Sequence, residues 1–153
     1  MESDRDPRQL LAEAERASAA PYIDYPPTPG WYAPAVGAWA AAIVLTIGAM
    51  GDNKLVAVPV LIVLIALEGA FFAWYRHYRK VNPTLTNAPP EIAGAMRRYA
   101  VGVVMVVAAC ILAFVLGGAI VSAVVAFVTV TVGLLLYERR YAAAAAATRQ
   151  RLS

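Results

Sequence analysis

The residue best placed to do chemistry is Glu68. It is a carboxylic acid inside the apolar block 55–75, which carries no other charge. It lies seven residues before Tyr75, so about 10 Å from the end of that block at 1.5 Å per helical residue. A charge at the centre of a lone membrane helix costs about 2.5–3.5 kcal/mol on insertion scales. The cost falls if the carboxyl is protonated, paired or in contact with water. Donors at the same depth can be found by counting from the aromatic residues that end the other apolar blocks. Thr131 and Thr129 lie six and eight residues before Tyr137, and Trp39 lies eight residues after Trp31. Glu68 with Thr129, Thr131 and Trp39 is therefore the candidate site. It reads as an ion or proton site, as a packing hydrogen bond between helices, or as a carboxyl that snorkels toward Arg76 and His77.

The remaining chemical groups suggest less. The single histidine, His77, sits in the run Arg76-His77-Tyr78-Arg79-Lys80, where a solvated interfacial side chain explains it better than a pH sensor. The single cysteine, Cys110, lies in an apolar block and reads as a small packing residue. One His and one Cys do not make a zinc or haem site. There is no Ser-His-Asp arrangement and no phosphate-cradling glycine loop, so neither a cofactor nor a catalytic centre is expected.

The elements that must position Glu68 follow from hydropathy. The chain has 153 residues, 61% hydrophobic and 15% charged, against about 45–50% and 25% in soluble domains. The apolar excess is gathered into long blocks at 31–50, 55–75 and 99–137. The first two are each near the ~20 residues that cross a ~30 Å hydrocarbon layer. The polar residues Gly51, Asp52, Asn53 and Lys54 leave room only for a helical hairpin between them, and Pro59 is expected to bend the early turns of the second. The third block runs for 39 residues without a charge, too long for one crossing. Gly117 and Gly118 near its middle divide it into 99–116 and 119–137. The expected fold is all-α, with four transmembrane helices in two in–out–in hairpins joined by a basic loop at 76–98.

The flanks differ from the spans. Residues 1–20 read as a short amphipathic helix, with Asp6 as N-cap, Pro7 in the first turn and an apolar stripe of Leu10, Leu11 and Ala14. Prolines at 21, 26, 27, 29 and 34 then predict an extended connector. Beyond Glu138 the alanine run 142–147 should carry the last helix out of the membrane into a basic tail. Of 13 Lys and Arg residues, only Lys54 falls on the side opposite the termini. The positive-inside rule therefore puts both termini in the cytoplasm and the spans in the plasma membrane. All eight Tyr, with Trp31 and Trp74, fall at or beyond the same interface, where amphipathic rings are favoured. The basic segments there suit anionic headgroups, while nucleic-acid binding is set aside because no basic, aromatic-rich motif accompanies the charge.

Small residues recur at four-residue spacing: Ala33, Gly37 and Ala41 in the first span, Ala109, Ala113 and Gly117 in the third. Lipid gives helices no hydrophobic drive to associate, so such stripes predict where helices or another subunit make contact. The lead-in Pro29-Gly30-Trp31-Tyr32-Ala33-Pro34, ahead of an Ala/Val-rich span, resembles small uncharacterised four-helix membrane proteins of high-GC actinobacteria. The resemblance covers roughly residues 25–140 in layout and this lead-in alone in motif; it implies the four-helix membrane fold and no activity. The size also suits small four-helix multidrug transporters, but those carry their essential acid in the first helix and Glu68 is in the second. Two functions follow as expectations. One is a non-enzymatic accessory or scaffold subunit, partnered by other membrane proteins or by itself. The other is a small oligomeric transporter or channel built around Glu68.

Overall fold

The computed structural model describes residues 7–24, 26–79 and 88–152, and every regular element among them is an α-helix. Helix α1 spans Pro7–Ile23, α2 Tyr32–Ala49, α3 Lys54–Arg79 and α4 Pro90–Leu152. The last three are long and apolar enough to cross a membrane.

Helix α4 has 63 residues, which unbroken would measure about 95 Å, some three times the hydrocarbon layer. It is broken at Gly118, where φ is 76° and ψ is −173°, a conformation open in practice only to glycine. The two arms, 90–117 and 119–152, run antiparallel. The Ser122 hydroxyl donates to the Cys110 carbonyl at 2.8 Å near the turn, the rings of Tyr99 and Tyr137 are 4.6 Å apart further down, and Arg151 meets Glu91 at the base. The neighbouring Gly117 is excluded from carrying a side chain by Val121, 2.8 Å from where its Cβ would stand. The long apolar run thus folds back at the glycine pair.

The other turn at this end joins α2 to α3. The amides of Asp52 and Asn53 donate to the Ala49 carbonyl, and the Asn53 carbonyl accepts from Val56 and Ala57 to start α3. Pro59 lies inside α3 and offers no amide to the turn before it. Helix α2 lies between α3 and the α4 hairpin, and α3 contacts the rest chiefly through α2.

Two boundaries differ from the sequence reading. Pro21 lies within α1, which continues to Ile23, and Pro34 lies in the first turn of α2. A proline is tolerated late in α1 because the gain there is tertiary: Ala19, Tyr22 and Ile23 are all buried against α4. The extended connector is thereby shortened to the residues between Ile23 and Tyr32. Within the basic segment 76–98, residues 76–79 end α3 and residues 90–98 begin α4. Asp6, the expected N-cap, and Lys80 lie outside the described residues.

Candidate functional site

Glu68 lies on the strip of α3 that faces α2. The half-buried residues of this helix recur as Leu61, Leu64, Glu68, Phe71, Tyr75 and Tyr78, the three-to-four spacing of one helical face. Above the strip's basal end the rings interlock. Tyr32 of α2 stacks on Phe71 and on Tyr75, each at 5.8 Å, Trp31 meets Trp74 at 5.6 Å, and Trp74 stacks on Tyr78 at 5.3 Å. The pairs made by Trp31 and Tyr32 clasp α3 to the start of α2 just below Glu68. Phe71 lies one helical turn from Glu68 on the same strip.

The donors expected around the carboxyl go elsewhere. The Trp39 indole donates to the Leu64 carbonyl at 3.1 Å, one turn from Glu68, at the oxygen that also receives the Glu68 amide in a regular helix. The Thr129 hydroxyl bonds back to Val125 in its own helix at 2.7 Å. The Thr131 hydroxyl is buried without a hydrogen-bond partner and abuts Gly37, where a Cβ would come within 2.2 Å of it. Among the described residues the Glu68 carboxyl has no hydrogen bond or ion pair.

Depth and direction account for this separation. The pairings of Tyr32 with Phe71 and of Trp39 with Leu64 put Glu68 at the level of Ala35. Thr131 lies at the level of Gly37, about 3 Å away along the axis at 1.5 Å per residue. The residues share a depth but occupy opposite flanks of α2, Glu68 on the α3 side and Thr131 on the α4 side. Trp39 and Glu68 thus share one seam, Thr131 lies in the other, and Thr129 faces the space between the arms of α4.

The small residues divide in a similar way. Gly37 is buried where α2 meets α4, and a Cβ on it would lie 2.8 Å from the Phe127 carbonyl oxygen, a backbone atom that cannot step aside. Ala41, Ala109 and Ala113 are half-buried, and Gly117 is exposed at the turn. In the upper part of the second arm Ser122, Ala123 and Ala126 are all buried, and near the turn a Cβ on Gly48 would meet the Ala119 methyl at 2.4 Å. The i, i+4 pair Ser122–Ala126 is the signal in the sequence that identifies this arm.

The other assembly unanticipated from sequence is a collar at the base, where α1 crosses the ends of both arms. Ile92 is fully buried there among Tyr22, Ile23, Tyr141 and Ala145. The Tyr141 hydroxyl donates to the Tyr22 carbonyl at 3.1 Å. Arg149 donates to the carbonyl of Ile23 and Arg16 to that of Leu152, meeting oxygens left open at two helix ends. Arg151 pairs with Glu91 at 2.9 Å and with Glu15. Glu91 is held below the ordinary carboxylate range, first by backbone hydrogen bonding at the start of α4, with partial burial opposing, and then by Arg151 and Thr148. Thr28 donates to Glu138 at 2.8 Å and Tyr78 to the Pro27 carbonyl at 3.2 Å, fixing the connector.

No group of three or more potential metal ligands occurs among the described residues. Comparison with protein-family models, with characterised proteins and with solved structures gives no match.

Proposed function

We propose that this chain is a multi-pass protein of the plasma membrane, with α2, α3 and the two arms of α4 as four spans and both termini in the cytoplasm, and that it serves as a non-enzymatic accessory or scaffold subunit. The observation that carries the reading is the state of α3. This helix is held chiefly through α2, and its outer face presents Val56, Ile62, Val63, Ile65 and Leu67, each more than half exposed. In water such a face would be an aggregation surface. In a bilayer it meets lipid or the helix of another subunit, and among the described residues the collar, the connector before α2 and two short turns are left to meet water.

The transporter reading draws on Glu68 alone. A pathway needs polar groups that converge, and the donors level with this carboxyl are turned to other acceptors or to the other seam. The geometry favours a carboxyl at a helix seam over a conduction site.

The test is purification from native membranes in mild detergent, with mass spectrometry of the proteins recovered. A stoichiometric larger membrane complex is the expected result. Recovery as a homo-oligomer whose ion or solute flux is abolished by Glu68→Gln would overturn the accessory reading in favour of transport. Reporter fusions after Lys54 and after Ser153 should fall on opposite sides; the same side for both would sink the topology.

A further inference from the structure

The two arms of α4 do not close on each other along their whole length. Between them lies a cleft of about 380 Å³, within the range of about 300–1,000 Å³ for small-molecule sites. Its walls are apolar, with Val103, Val106 and Val107 on one arm and Val130 and Leu134 on the other. Gly102 and Gly133 face each other across it, and a Cβ on either would meet nothing within 4 Å. The missing side chains are what leave the space open.

One end of the cleft is charged. Arg98 and Arg140 line it beside Tyr99 and Tyr137. Both guanidinium groups are exposed, and neither forms a hydrogen bond or ion pair among the described residues. This distinguishes them from Arg16, Arg149 and Arg151, which are all engaged in the collar. The nearest acid in sequence, Glu138, receives the Thr28 hydroxyl. From Tyr99 to Val107 the apolar part runs eight residues, about 12 Å at 1.5 Å per residue, close to the ~15 Å depth of one leaflet of a ~30 Å layer.

We propose that this cleft is a binding site for one anionic glycerophospholipid of the inner leaflet, its phosphate held by Arg98 and Arg140 and one acyl chain laid between the arms. Charge complementarity selects this occupant. An apolar slot ending in two unpaired guanidiniums at headgroup level matches a molecule with an anionic head and a hydrocarbon tail, and arginine binds phosphate through two parallel donors. An apolar helix from another protein would leave both charges unmatched. The inference rests on the reading of the chain as membrane-embedded.

The full-length protein, in a neutral detergent, is titrated with phosphatidylglycerol and with phosphatidylcholine of the same acyl chains, and retained lipid is counted by native mass spectrometry. One phosphatidylglycerol should be retained at least tenfold more tightly than phosphatidylcholine. The double variant R98Q/R140Q should lose that preference. R97Q/R139Q removes the same charge from exposed neighbours that do not line the cleft, and should keep it. G133L fills the cleft and should lower retention of both lipids, with an unchanged helical spectrum and elution volume. Equal retention of the two lipids, an equal effect of the two arginine pairs, or displacement of phosphatidylglycerol by millimolar inorganic phosphate would each overturn the site. Release of the protein from membranes by alkaline carbonate would instead overturn the membrane reading. A protein that resists carbonate and shows no lipid preference fails here alone.

Discussion

The collar and the long apolar helices of this molecule are built in different ways. In the collar, Ile92 and Thr148 are completely buried, three helix ends meet, and three arginines are tied to carbonyls or carboxylates. In α3, Ala57 is the one buried residue described, and large apolar side chains stand exposed along most of the helix. The collar is put together as a water-soluble core is, by removing apolar surface from water, at about 25 cal/mol per Å². On the proposed membrane reading, the apolar helices cannot draw on that force against lipid, and rely on close approach at Gly37 and Gly48 and on bonds such as Trp39 to Leu64. Truncating the same kind of side chain in the two regions should therefore have unequal consequences.

The largest effect is expected for Ile92→Ala. It leaves a cavity at a fully buried site and should cost about 2–5 kcal/mol, read as a drop in the thermal midpoint in detergent and as new protease cleavage within α1. Leu67→Ala removes a larger-than-methyl group from a face that is 57% exposed and should move the midpoint little. If the two truncations cost the same, the contrast between the regions is wrong.

Two threonines with buried hydroxyls sharpen the contrast at a smaller scale. The Thr148 hydroxyl is within reach of the Ala144 carbonyl at 3.0 Å and of Glu91 at 3.4 Å. Thr148→Val removes this donor, leaves the Glu91 carboxylate one partner short and should destabilise the collar by about 1–3 kcal/mol. The Thr131 hydroxyl is buried with no partner, so Thr131→Val replaces an unpaired polar atom with a methyl group of similar shape. That variant should be neutral or slightly stabilising in the same thermal assay. A loss at Thr131 equal to that at Thr148 would mean the α2–α4 seam holds a hydrogen bond to this hydroxyl.

These particulars show what was legible in the sequence. The all-helical character and the break at Gly118 followed from length and hydropathy, because 39 uncharged residues exceed one crossing and only glycine turns so sharply. The depth of Glu68 relative to Thr131 was also legible, since the rise per residue is fixed. The direction each side chain takes around α2 was not, because it depends on which neighbour each face of that helix receives. The collar was hidden for a related reason. Its members come from residues 19–23, 91–92 and 141–151, and no periodicity within one segment announces a meeting of three. Pro21 argued against helix locally, and burial of Tyr22 and Ile23 outweighed it. For the candidate lipid cleft, Gly102 and Gly133 read as members of two separate spans until the hairpin set them face to face.

The smallest expected effect lies in the collar's charges, and its sign follows from Glu91. The carboxyl's value in the folded protein is lowered from an ordinary 4.5, so the ionised form favours the closed collar. That contribution is complete above the ordinary carboxylate range and is lost as the pH falls through the lowered value. Arg151 is raised by its bonds to Glu15 and Glu91; its contribution is complete at every pH below the ordinary guanidinium range and is therefore constant across the acid range. Acidification from pH 7 to 5 should leave protease access to α1 unchanged, and further acidification below about 4 should increase it. The change should be modest, because the Arg151–Glu91 pair is part-exposed, with side chains 42% and 27% accessible, and such pairs are weak and screened by salt. Glu91→Gln should flatten the acid limb while retaining an acceptor for the Thr148 hydroxyl. If the limb persists in that variant, Glu91 is not the group that couples the collar to pH.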